Sequence, residues 1–179
     1  YGTIIEQNQF LGTEGSGAYK INNPSITHFF DIGSKISINN NLGFNAGYTK
    51  FNTKTDMMYK NFVSISDLES DEIKLGITFN KLFELNDRFS LNFISPLSTI
   101  SGKITQNTTK GYNKNGSYKS MTEYYSLKND NRQKNINLLY EYNLNSNLNF
   151  VSAINYNDND LGQAGFNNLG LYQGLSFTF

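Results

Sequence analysis

Histidine occurs once in this chain, as His28, and cysteine not at all. Few groups are therefore available for acid–base or nucleophilic chemistry. A Ser-His-Asp arrangement would have to use His28, but that residue stands in a row of apolar side chains with Ile26, Phe30 and Ile32, and nothing places a Ser and an Asp around it. An interfacial histidine is the expected role. Without thiolates, and with one imidazole, metal sites run short of ligands. Glu69, Asp71 and Glu72 cluster at the loop end of an alternating segment; they could hold a cation weakly, and a solvated rim is the preferred reading. Asp158-Asn159-Asp160 followed by Gly162 has the opening of a calcium loop but lacks the downstream bidentate Glu, and reads as a polar turn. Gly12, Gly15 and Gly17 have no Lys beside them to hold a phosphate, and read as a loop. The expectation is a segment that is not itself an enzyme, with no catalytic, cofactor-binding or metal-binding residues and no cofactor.

The elements that carry these residues announce themselves by period-two alternation. Leu42, Phe44, Ala46 and Tyr48 alternate with Gly43, Asn45, Gly47 and Thr49; Ile73, Leu75, Ile77 and Phe79 with Lys74, Gly76, Thr78 and Asn80. Phe89, Leu91 and Phe93 alternate with Ser90 and Asn92, and Ile136, Leu138, Tyr140, Tyr142 and Leu144 with Asn137, Glu141 and Asn143. Between Ile26 and Ile38 the row of Ile26, His28, Phe30, Ile32, Ile36 and Ile38 faces a polar row of Thr27, Asp31, Gly33, Lys35 and Ser37 in which Phe29 is the exception; from Leu169 to Phe179 Gln173 interrupts the apolar row. Such a period gives each strand one apolar and one polar face. Composition agrees: 12 Tyr, 14 Phe, 15 Gly and only 2 Pro favour strands and turns. Net charge is zero, which gives nucleic acid no basic face to meet.

Short Asn-rich turns at 39–41, 85–88 and 145–147 alternate with long polar stretches near 53–69, 102–131 and 157–168. Three hairpin-like units repeat weakly, at 35–44, 83–93 and 142–150. Strands are expected at 25–38, 41–52, 70–83, 88–101, 132–144, 147–157 and 168–179, with an eighth at 1–11 and a further extended stretch at 117–127. Tight turns on one rim and long loops on the other mark an all-β, antiparallel up-and-down outer-membrane β-barrel of about eight strands, or the C-terminal part of a larger barrel. The whole of 1–179 reads as one such domain, and its start at Tyr1 reads as that of a processed or excised segment. No apolar run reaches the ~20 residues of a spanning helix, which a barrel does not need. Small uncharged residues (Gly43, Gly47, Gly76, Gly170, Gly174, Asn45, Asn92, Asn137 and Ser176) are the expected lumen lining, leaving a narrow cavity or room for an inserted segment.

The last strand carries the most specific feature. Leu175, Phe177 and Phe179 alternate up to a terminal Phe, similar to the C-terminal strand that the barrel assembly machinery receives by β-augmentation. Ser66-Asp67-Leu68 leading into Ile73–Phe79, then Asn86–Phe93, Ser95-Pro96-Leu97, Ser101-Gly102 and Leu169–Phe179 together resemble the C-terminal, autotransporter-like β-barrel region of certain secreted subtilisin-family (S8) serine peptidases of Gram-negative bacteria. The resemblance covers roughly the last two-thirds of the chain. It implies an outer-membrane location, with lipid, lipopolysaccharide, the assembly machinery and the chain's own passenger as partners, and a role in anchoring and helping to export or display an N-terminal passenger such as a protease. That family's catalytic triad lies upstream and nothing here matches it, so no catalytic residue is carried over. The alternatives from the residues themselves are a free-standing small outer-membrane protein acting through its loops as adhesin or receptor, and a soluble all-β binding domain.

Overall fold

A computed structural model describes residues 1–10 and 12–177. The chain is all-β and antiparallel, with two single-turn 3-10 segments. Its strands are β1 (Gly2–Glu6), β2 (Gln9–Phe10), β3 (Thr13–Glu14), β4 (Ser25–Asn39), β5 (Leu42–Lys54), β6 (Val63–Ile65), β7 (Leu68–Asn80), β8 (Asp87–Ser101), β9 (Lys103–Tyr112), β10 (Tyr118–Ser126), β11 (Lys134–Asn145), β12 (Leu148–Asp158) and β13 (Asn168–Phe177). Eight of them form one sheet in the order β1-β4-β5-β7-β8-β11-β12-β13; β10-β9-β6 and β2-β3 form two smaller ones. The seven long strands read from alternation are all present. The eighth is shorter than the reading of 1–11, ending at Glu6, and Leu11 lies outside the described residues. β10 realises the extended stretch expected near 117–127, while β6 and β9 arise inside segments read as polar loop.

Two compact units can be described along the chain: 1–30, 50–71 and 99–129 in one; 31–49, 72–98 and 130–179 in the other. The first has an ordinary core. Ile21, Met57 and Val63 are buried together, with Phe10, Ile65 and Ile104 against them, and an isolated bridge joins Ile21 to Met57. Polar pairs close its strands: Thr27 and Thr53 hydroxyls meet at 2.8 Å, and Ser25 Oγ donates to Thr55 Oγ1 at 3.0 Å. Phe29, the apolar exception in its strand's polar row, lies opposite Gly2 in register. Its ring occupies the space a Cβ on Gly2 would need, 2.4 Å from Cζ, and stacks on Phe51. An aromatic ring covering a strand glycine restores the packing the missing side chain forfeits.

The second unit has no buried apolar residue among those described; its buried residues are Asp87, Ser90, Ser95 and Ser98. Its registers stack like with like. On the apolar face, Leu91, Leu138, Ile154 and Leu171 form one cross-strand row, and Phe93, Ile136, Tyr156 and Leu169 the next. The break at Gln173 is matched by its neighbour Ser152, so the interruption is shared across strands. On the other face Asn92, Asn137, Asn155 and Gly170 align.

Asp87 organises one tight turn. Its carboxylate accepts the backbone N–H groups of Leu82, Phe83 and Glu84 at 2.7, 2.8 and 2.9 Å, and Tyr140 donates its hydroxyl at 3.5 Å. Asp87→Ala orphans those donors, and a melting temperature lower by roughly 4–8 °C is expected; Asp87→Asn, which keeps one acceptor, should lose less. Thermal melts followed by circular dichroism test both.

Candidate functional site

The chemistry-bearing residues of the sequence are distributed, and the structure gives most of them structural partners. His28 faces outward beside Thr3 in register. The Tyr1 and Thr3 hydroxyls lie 2.9 and 3.1 Å from its Nδ1, and the Tyr1 ring stacks on the imidazole. Glu69 pairs with Lys50 at 3.1 Å in the first unit, and Glu72 with Lys74 at 2.7 Å in the second; Asp71 is buried. Asp160 accepts Gln133 Nε2 and the Leu161 amide, each at 3.1 Å, and Asn168 Nδ2 at 3.5 Å. With Asn159 and Leu161 at positive φ, that carboxylate shapes a loop. In the glycine loop the Gly12 amide donates to Glu6 Oε1 at 2.7 Å, so an acid occupies the position a bound anion would take.

What the fold assembles is a sheet with two opposite surfaces. On the apolar one, Ile36, Phe44, Leu75, Ile77, Leu91 and Phe93 surround a shallow hollow of about 410 Å³ above Ala46. On the polar one, Asn45 and Asn92 reach over Gly76 from either side; a Cβ there would stand 2.3 and 2.4 Å from their Oδ1 atoms. Next to this, Lys35, Asn39, Thr78, Asn80 and Arg88 line a hollow of about 380 Å³. Arg88 and Glu141, in register, pair at 3.6 Å. Of the assembly-signal residues, Leu175 and Phe177 are exposed on the outward row of β13; Phe179 lies outside the described residues.

Two contacts join stretches that the sequence offered only as separate motifs. Leu68 is buried over Gly102, whose added Cβ would lie 2.6 Å from Leu68 Cδ1, and Ser66 exchanges hydrogen bonds with Lys103, giving its N–H to the Lys103 carbonyl at 3.0 Å and accepting the Lys103 N–H at 2.9 Å. Ser95 Oγ donates to the Gln133 carbonyl at 3.3 Å and accepts from Arg132 Nε. Sequence reasoning missed Arg132, because a loop arginine carries no periodic signal.

Asp56 fastens the first unit's loop. Asn22 N–H donates to its carbonyl at 2.8 Å, Asn23 Nδ2 to its carboxylate at 2.9 Å, and Lys60 Nζ pairs with it at 2.7 Å. The Lys60 ammonium hydrogen bond, aided by that charge and by Asn23, holds the carboxyl below its ordinary range against partial desolvation. A depressed folded value stabilises the fold above the unfolded pKa of ~3.9 and is lost as pH falls through the folded value. Amide exchange at Asn22 and Met58 should therefore accelerate only in acid, and Lys60→Gln should move that transition upward in pH. An unchanged transition in the variant would remove Lys60 from the account.

No family model matches this chain, and no curated protein or solved structure matches it either.

Proposed function

We propose that the chain is the membrane-embedded part of an outer-membrane protein of a Gram-negative bacterium, an eight-stranded sheet closed as a barrel that anchors and helps to display an N-terminal passenger. The observation that carries this reading is the inversion of burial in the second unit, which buries Asp87, Ser90, Ser95 and Ser98 while Ile36, Leu75, Leu91, Ile154 and Leu171 stand 58, 48, 37, 38 and 74% exposed. A water-soluble domain hides such rows against a second layer, because apolar area in water costs ~25 cal/mol per Å². In a bilayer the same rows meet acyl chains, and closure of β1 on β13, the two ends of the sheet's strand order, is what would satisfy the remaining edge backbone groups there.

The aromatic pattern supports the same environment. Phe93 and Tyr156 lie in one row of the apolar face, Phe89 and Tyr140 in a second that also holds Ser152 and Gln173, and Tyr142 and Phe150 in a third beside Asp87, with the aliphatic row of Leu91, Leu138 and Ile154 between the first and the second. Six residue steps along β11, from Ile136 to Tyr142, separate the outermost of these aromatic rows, or roughly 20 Å at strand rise. Aromatic girdles flanking an apolar band of about 25 Å are a property of outer-membrane barrels.

Because the chain lacks cysteine, single-site nitroxide labelling is direct. Labels at Leu91, Leu138 and Leu171 should collide with oxygen more than with a polar nickel chelate in proteoliposomes, and labels at Asn92 and Asn137 should do the reverse. Equal accessibility on both faces would contradict the membrane reading. The passenger role rests on the S8 peptidase resemblance. A reporter fused before Tyr1 should become protease-accessible on intact cells; its retention inside would remove the display function and leave a free-standing membrane protein.

A further inference from the structure

The hairpin of β9 and β10 ends in a rigid tip with an unbalanced charge. Residues 110–119 contain Lys110, Lys114 and Lys119 and no Asp or Glu, in a chain of zero net charge. All three lysines are exposed, and no ion pair engages them among the described residues. The backbone re-aims one of them: the register slips between Lys119 and Ser120, Gly111 facing Lys119 and Thr109 facing Ser120, which leaves Lys110 as the bulged residue. Bulges re-aim a side chain in this way.

The turn itself is fixed. Asn113 N–H donates to Ser117 O at 2.7 Å, Gly116 N–H to Asn113 O at 2.9 Å, and Ser117 Oγ to Asn115 Oδ1 at 2.6 Å; Gly116 takes φ +81. At its base Tyr112 and Tyr118 face each other, their centroids 5.0 Å apart, while remaining 70 and 68% exposed. Large rings held rigidly in water cost little further entropy on binding.

We propose that this tip binds an anionic polysaccharide, the tyrosine rings meeting sugar C–H faces and the lysines meeting carboxylates or sulfates. The hairpin favours that ligand over other anions. Thr105 and Tyr124, paired across the hairpin below the tip, offer hydroxyl partners to sugar oxygens, while beside them Thr122 Oγ1 donates to Asn107 Oδ1 at 2.7 Å and Asn107 Nδ2 to the Asn61 carbonyl at 3.0 Å, which holds that face in place. A lipid surface would call for an apolar wedge beside the lysines, and 110–119 contains no aliphatic side chain larger than the lysine stems. A nucleic-acid ligand would call for a basic domain.

The test uses the full chain folded in detergent, with polygalacturonate as the probe and dextran, poly-dT and phosphatidylglycerol vesicles as comparisons, at low salt and at ~0.5 M NaCl, where exposed charges are screened. Polygalacturonate should bind best and in a salt-sensitive way. Replacing Lys110, Lys114 and Lys119 together by Gln should weaken it about tenfold, and Tyr112→Ala with Tyr118→Ala should weaken it with the lysines intact. These substitutions lie outside the eight-stranded sheet, and unchanged strand circular dichroism would show that the fold persists. Absence of binding, unchanged affinity in the lysine or the tyrosine variant, or equal binding to poly-dT or to the vesicles would each overturn the proposal.

Discussion

Leu138→Arg is expected to lower stability in lipid by about 2–4 kcal/mol, the largest effect of any surface substitution considered. Leu138 lies between Leu91 and Ile154 in the central outward row, where a guanidinium must either enter the hydrocarbon or drag water to it. Leu75→Arg, beside the apolar hollow, should behave alike. Ser37→Arg, on the polar face of β4 and exposed, should change stability by no more than ~0.5 kcal/mol. Urea titration of the three variants in vesicles measures the contrast directly. Equal losses on both faces would mean that the outward rows do not face lipid.

Gly102→Val should be similarly costly, for a different reason and in the first unit. Gly102 joins β8 to β9 at φ +144, a region open to glycine and closed to β-branched residues. Its Cα also lies under buried Leu68, and its carbonyl accepts the Leu127 N–H at 2.9 Å. Strain and overpacking each contribute about 1–3 kcal/mol. Gly102→Val should therefore disrupt the β6-β9-β10 sheet while leaving the second unit's amide protection intact. Leu68→Ala in the same background should recover part of the loss, because it removes the clash and leaves the backbone strain. A variant as stable as the parent would show that φ there is free to relax.

Most of the eight-stranded sheet was legible in the sequence because its strands have one apolar and one polar face throughout, and Asn-rich turns bound them. The residues that broke the pattern are those whose roles depend on neighbours in space. Phe29 is placed by Gly2, which lies far from it along the chain. Leu139 sits on the polar face between Ser90 and Ala153, small neighbours that leave room for its side chain and that alternation within β11 alone does not show. β9 was invisible for a plainer reason: Lys103–Tyr112 is rich in Thr, Asn and Lys, so its strand is held by backbone pairing with β10 and β6 and carries no hydrophobic period. Ser66 and Gly102 could be picked out as motifs but their meeting through Leu68 and Lys103 could not. At the candidate tip the lysines were readable as residues, whereas the bulge that separates Lys110 from its strand neighbours is a property of the register.

The membrane reading predicts its own most direct measurement. The chain, refolded in detergent micelles, is run on a denaturing gel with and without boiling. A closed, detergent-embedded barrel resists unfolding in the unboiled sample and migrates faster than the boiled chain, with β-type circular dichroism in the same preparation. Identical mobility in both lanes, together with a protein that stays dissolved once the detergent is removed, would contradict a membrane barrel and return the outward rows to the interior of a soluble assembly.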